Sequence, residues 1–136
     1  MAKHIFRTQV RYNEVDKMGV VHNSVYYIYM ELARVDLVRA EGYPYKRMEE
    51  EDGLLIPVLS SACTFKHPAR YDDIIEVETT LKFMKNSSLR FNYRIRRDDG
   101  TLLAEGYTVH AIVDSAFEIT TIPDTYRALF GKYLEA

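Results

Sequence analysis

The sequence predicts an α+β fold, with one long helix packed on an antiparallel sheet of five to six strands. Three observations predict it. Tyr26, Tyr29, Met30, Ala33, Leu37 and Ala40 recur at helical spacing between Ser24 and Gly42. Two later stretches alternate with period two, Ile75-Val77-Thr79-Leu81-Phe83 and Leu89-Phe91-Tyr93-Ile95, each interleaved with polar residues. Asp99-Gly100 follows the second alternation and is a hairpin signal. Strands joined by hairpins are antiparallel, and one helix layered on one such sheet is an α+β architecture.

Taken in order, His4 to Tyr12 is compatible with a first strand, and residues 13–23 form a loop containing Asp16 and Gly19. The helix runs from about Ser24 to Glu41. Ser24 suits its N-cap, and Gly42 followed by Pro44 stops it. It would be ~25 Å long at 1.5 Å per residue. Its apolar face carries no charge. The opposite arc holds Glu31, Arg34, Asp36 and Arg39, but Ile28, Leu32, Val35 and Val38 lie among them, so the helix expects cover on more than one side. Residues 43–53 read as a polar connection or short helix. Strands then follow over Leu54 to Lys66, Ile75 to Phe83, Leu89 to Arg96 and Leu102 to Asp114, with Phe117 to Thr121 a candidate for one more. Pro123 is placed to open a last helix through Leu134. The far face of the sheet, the back of the helix and the edge strands all invite a second copy of the chain.

The chain has 136 residues, the size of one ordinary domain spanning 1–136. A hydrophobic fraction of 47% with a net charge of -2 argues against disorder and against a nucleic-acid face, which would be basic. Cys63 is the only cysteine, so no internal disulfide forms. No Cys/His spacing suggests a metal, and no cofactor motif is present. The first seven residues contain no apolar run, and no stretch approaches the ~20 apolar residues of a membrane span. A cytoplasmic protein with no membrane span is the expectation.

The segment Asp16 to Tyr27 is the richest in chemistry. A carboxylate sits in a Gly-containing loop seven or eight residues before a helix start. A helix start presents unpaired N–H groups and a partial positive charge. Aimed at a carbonyl oxygen, these would stabilise an oxyanion. A carboxylate and an electrophilic pocket together suit acyl transfer or hydrolysis. Asn23 also has the plainer reading of a helix N-cap.

Several segments together carry a family resemblance. They are Asp16-x-x-Gly19-Val20-Val21-x-Asn23-x-x-Tyr26, the helix residues Glu31-Leu32-Ala33-Arg34, Pro57-Val58, Pro68-Ala69-Arg70-Tyr71-Asp72-Asp73, Ser88, and Thr108-x-His110-x-x-Val113-Asp114. In this order and spacing the chain resembles the hotdog-fold acyl-CoA thioesterases of the 4-hydroxybenzoyl-CoA thioesterase family, from about Arg7 to Pro123. The resemblance implies a long central helix wrapped by a curved antiparallel sheet. It also implies a homodimer, often paired into a homotetramer, with active sites at the dimer interface. The implied reaction is hydrolysis of an acyl-CoA thioester to free acid and CoA, without a metal or cofactor.

The family aspartate falls on Asp16, as nucleophile or general base, and the oxyanion-facing backbone N–H falls on Asn23. A cation used by some members for the nucleotide part of CoA falls near Lys85. Many relatives of the Tol–Pal-cluster thioesterase carry His at the position of Asn23. Here His22 comes one residue earlier, so an imidazole role does not transfer, and His22 reads either as a loop residue or as a substrate contact. Tyr26 belongs to the core stripe or forms a wall of the acyl pocket. Ser60, with Ser61 and Thr64, lies on the strand after the helix and is a candidate to approach the site from a partner subunit. His110 reads as a structural histidine. Two alternatives stand beside acyl-CoA hydrolysis: a thioesterase acting on acyl carrier protein, and a non-catalytic acyl-CoA-binding hotdog module.

Overall fold

The computed structural model describes residues 2–136. Five strands form one antiparallel sheet in the order β1-β3-β4-β5-β2, where β1 is His4–Gln9, β2 Val58–Phe65, β3 Ile74–Met84, β4 Ser88–Arg97 and β5 Leu102–Ala111. Three helices accompany it: α1, Asn23–Ala40, of 18 residues; α2, Tyr45–Glu50; and α3, Asp124–Gly131.

Helix α1 packs on the sheet through Val25, Tyr26, Tyr29, Met30, Ala33, Arg34, Leu37 and Val38, all buried. The apolar stripe therefore does what its spacing predicts, with two differences. Ala40 is exposed, because the helix ends there and Gly42 turns the chain away at φ +87°. Arg34 is buried at 8% exposure although the sequence places it on the charged arc. Its long stem spans the gap to the sheet, and its Nη1 donates to the Tyr93 hydroxyl on β4 at 3.2 Å. The back of α1 keeps Tyr27 and Ile28 exposed.

Both alternating stretches are strands with one buried face. Ile75, Val77, Thr79 and Leu81 of β3, and Leu89, Phe91, Tyr93 and Ile95 of β4, sit inside. Close approach of α1 to β5 is possible because Gly106 has no side chain. A Cβ there would collide with Met30 Cε and lie 2.7 Å from the Ala62 carbonyl oxygen.

The hairpin at Asp99-Gly100 has a three-residue loop rather than two. Gly100 N–H donates to Arg97 O at 2.9 Å, Gly100 takes φ +91°, and Arg97 N–H closes the pair on Thr101 O. Asp99 Oδ1 accepts Thr101 N–H, which favours this longer form.

No sixth strand forms over Phe117 to Thr121. Asp114 Oδ1 accepts the N–H groups of Ala116 and Glu118, and Phe117 takes φ +64°, so the chain turns back with a single bridge, Val113 to Ile119. The first strand stops at Gln9, and Tyr12–Glu14 form a 3-10 turn. The acidic segment 43–53 contains α2, which buries Met48. After α3, Leu134 bridges Leu81 in parallel, covering the part of β3 that β1 does not reach.

Candidate active site

The Asp16 loop is a short turn closed on itself. Val15 and Val21 pair across it, Asp16 N–H donates to Val20 O at 2.9 Å, and Gly19 N–H donates to Asp16 O at 2.9 Å. Gly19 takes φ +80°, a conformation that side chains disfavour. Asp16 Oδ1 accepts the Met18 N–H at 2.8 Å, which fixes the carboxylate inside the turn. The loop is braced from behind by the segment after β2. Val21 N–H donates to Ala69 O at 2.8 Å, and Val20 bridges Arg70. That segment is in turn tied to the end of β4, since Arg97 Nη2 donates to Pro68 O and Arg97 Nε to Asp73.

Helix α1 begins directly after the loop. The N-cap is His22, not Ser24. Its Nδ1 accepts the Ser24 N–H at 3.2 Å, with the Ser24 hydroxyl 2.8 Å away. Asn23 is thus the first helical residue. Its N–H has no partner one turn earlier in the helix, so it is one of the free donors of the positive end.

A cleft of about 340 Å³ opens between these parts, lined by Asp16, Met18, Val20, Val21, Asn23, Tyr26, Phe65, Lys66, His67 and Pro68. It brings together three residues singled out from sequence: Asp16, half-buried; Asn23; and Tyr26. The Tyr26 ring packs edge-on against Phe65 at 5.1 Å between centroids, and its hydroxyl accepts the Ala69 N–H at 3.4 Å. Burial pushes the Tyr26 phenol above its ordinary value, so it remains a neutral wall of the cleft.

The other three are not in the lining of the cleft. His22 caps the helix with an exposed ring and is not in the lining. Ser60 is exposed on β2, an edge strand, five residues before Phe65. Lys85 follows β3, with Nζ 4.9 Å from the Phe83 ring centre. The Asp16 loop sits beside the opposite end of that strand, where Val10 exchanges hydrogen bonds with Asp72 and Asp73. Eleven residues of β3 separate the two ends, about 35 Å at ~3.3 Å per residue. Lys85 and Asp16 of one chain therefore stand at opposite ends of the sheet.

Sequence reading missed Phe65, Lys66 and His67 as cleft residues. They sit where β2 breaks off into an irregular turn, and no period marks such a place. It also missed Glu14, whose buried carboxylate bonds the Arg11 N–H and the Tyr29 hydroxyl. An acidic residue two before Asp16 was the available signal. Among the described residues no three His, Cys, Asp or Glu side chains gather as metal ligands, and no helix is long and apolar enough to cross a membrane.

His110 is fully buried under the helix, away from the cleft. Its Nδ1 lies 2.7 Å from Ile56 O and its Nε2 2.8 Å from Thr108 Oγ1. It is a structural histidine.

Comparison with known proteins places these features. The model of the thioesterase-like superfamily matches residues 10–130. The acyl-CoA thioester hydrolase YbgC of Escherichia coli O157:H7 is 31% identical over 112 residues, 81% of this chain and 83% of that protein. The acyl-CoA thioesterase YbgC of Haemophilus influenzae is 30% identical and covers 92% of both chains. Among solved structures, a hypothetical protein, TT1821, from Thermus thermophilus superposes with a TM-score of 0.89 at 40% identity, over 96% of this chain and 98% of its own. The five-stranded antiparallel sheet is part of the fold shared with that structure.

Proposed function

The chain belongs to the thioesterase-like superfamily, and from that premise we propose that it is an acyl-CoA thioester hydrolase, releasing a free acid and CoA. The observation that carries this reading is the shared cleft: a half-buried carboxylate, Asp16, and the first residue of an 18-residue helix, Asn23, line one cavity. In the proposed reaction the thioester carbonyl oxygen lies toward the Asn23 N–H, where developing negative charge meets a free donor and the helix dipole. Asp16 then attacks the carbonyl carbon, expelling CoA thiolate and leaving a mixed anhydride for water to hydrolyse. Alternatively it takes a proton from the water that attacks. Either route consumes one water per thioester. Tyr26 and Phe65 form an apolar wall for the acyl group, and Lys66 and His67 supply polar groups at the rim.

The working form we propose is a homodimer, or a pair of dimers, in which α1 is wrapped by the curved sheet as in hotdog thioesterases. Two features support it. The edge strand β2 exposes Val58, Leu59 and Phe65, the last of these in the cleft itself. Lys85 reaches a CoA nucleotide at this cleft only from a second copy, given the length of β3. Ser60, on the same free edge, is placed to meet that copy.

The test is turnover of a panel of acyl-CoA and acyl-carrier-protein thioesters by purified protein. Release of free CoA supports the reading. Preference for carrier-protein thioesters moves the substrate class, and acyl-CoA binding without turnover makes the protein a binding module.

A further inference from the structure

We propose that Glu14 is a positioning residue that locks the Asp16 loop to helix α1, and through that lock fixes the distance from the carboxylate to the helix start. The proposal rests on the role of Asp16 given above. Glu14 is 6% exposed and lies two residues before Asp16. Burying a carboxylate is costly unless it is hydrogen-bonded. Glu14 accepts four hydrogen bonds. Oε1 accepts the Arg11 N–H at 2.8 Å and the Tyr29 hydroxyl at 2.9 Å, and Oε2 accepts Arg11 Nη2 at 2.9 Å and Arg11 Nε at 3.3 Å.

Tyr29 is fully buried on α1, six residues after Asn23. The Glu14 backbone makes a second tie, because its carbonyl accepts the His22 N–H at 2.9 Å, and His22 is the N-cap of α1. One residue thus grips the helix twice, at its start through the main chain and at its second turn through the carboxylate. The Asp16 turn hangs between Glu14 and His22 and is otherwise fixed only by its internal bonds and by residues 69 and 70. Burial alone would raise the Glu14 pKa, but the bonds from Arg11 and Tyr29 outweigh it and hold the carboxyl below its ordinary value. The grip is therefore that of an ionised group, which makes stronger bonds than a neutral one.

A misplacement of 1 Å at a reacting group can cost ~10²-fold in rate. Loosening this lock should therefore lower kcat while leaving substrate binding nearly intact. The experiment compares wild type, Glu14→Gln and Tyr29→Phe on the acyl-CoA turned over fastest, each also in an Asp16→Asn background. Backbone hydrogen exchange of residues 16–22 is followed in parallel. The expected result is a kcat loss of about 10- to 100-fold, with KM within about three-fold. No further loss is expected in the Asp16→Asn background, and amide exchange at 16–22 should be faster. Tyr29→Phe, which removes one hydroxyl, keeps the test decisive where Glu14→Gln folds poorly.

Lower thermal stability with unchanged kcat would overturn the proposal, as would equal losses in both backgrounds or unchanged exchange. Asp16→Asn retaining full activity would instead overturn the catalytic reading, while the exchange measurement still judges the lock.

Discussion

Acidification should destabilise this protein through His110 before any carboxylate contributes. The arrangement is a chain of hydrogen bonds with one direction. Arg34 can only donate, and it donates to the Tyr93 hydroxyl at 3.2 Å. Tyr93 then donates to Thr108 Oγ1 at 2.8 Å, Thr108 to His110 Nε2 at 2.8 Å, and His110 Nδ1–H to Ile56 O at 2.7 Å. This assignment of protons follows from the network. A second proton on His110 would sit on Nε2, turn it from acceptor to donor, and leave the buried Thr108 hydroxyl proton without its acceptor. Burial is the main cause that pushes the His110 pKa from 6.5 down to about 4, the Ile56 carbonyl opposes it, and the Arg34 charge adds to it.

The folded value lies below the unfolded one, so the unfolded chain takes up the proton first. Stability is complete above ~6.5 and falls with pH below it, at up to ~1.4 kcal/mol per pH unit. By about pH 4 the loss reaches about 3 kcal/mol. Glu14, Glu41 and Glu135, which the fold holds below the ordinary glutamate value of 4.5, give up their contributions only from there downward. Urea unfolding between about pH 6.5 and about pH 5 should therefore show a loss of about 1.5 kcal/mol in the wild type. His110→Gln should be less stable at neutral pH but nearly flat across that window. A flat wild type, or an equal slope in the variant, would refute the reasoning.

Two further perturbations probe the packing and the loop. Gly106→Ala should cost about 1–3 kcal/mol by overpacking the approach of α1 to β5. Within a Met30→Ala background, itself destabilised by the loss of a buried side chain, the same substitution should cost less but not nothing, since the Ala62 carbonyl still opposes the new methyl; chemical denaturation of the single and double variants checks this. Gly19→Ala meets no atom within 4 Å but must hold φ +80°, at a cost of ~1–2 kcal/mol. Its turnover should fall by more than that stability loss accounts for, because the same turn carries Asp16; steady-state kinetics on an acyl-CoA checks this.

The main strands and helix were legible because their burial patterns are regular. The β3 and β4 alternations, and the stripe from Tyr26 to Leu37, are each one buried face repeated at a fixed period. Legibility failed where a single polar contact overrides the period. Arg34 is buried because Tyr93 receives it, and Phe117 turns back because Asp114 caps two amides. The same holds at the cleft. Asp16, Asn23 and Tyr26 lie within one continuous segment that local chemistry makes readable. Phe65, Lys66 and His67 come from a distant strand end that only the tertiary fold brings near. Lys85 illustrates the converse, since nothing in a linear reading reveals that β3 carries it to the far end of the sheet.

The most direct test of the account is kcat for acyl-CoA hydrolysis by Asp16→Asn, measured alongside its unfolding midpoint. Asparagine keeps the shape and can still accept the Met18 N–H, so the fold should hold while the nucleophile or base is lost. The expected result is a fall in kcat of about 10²- to 10⁴-fold with an unchanged midpoint. Turnover at the wild-type rate by the folded variant would contradict it.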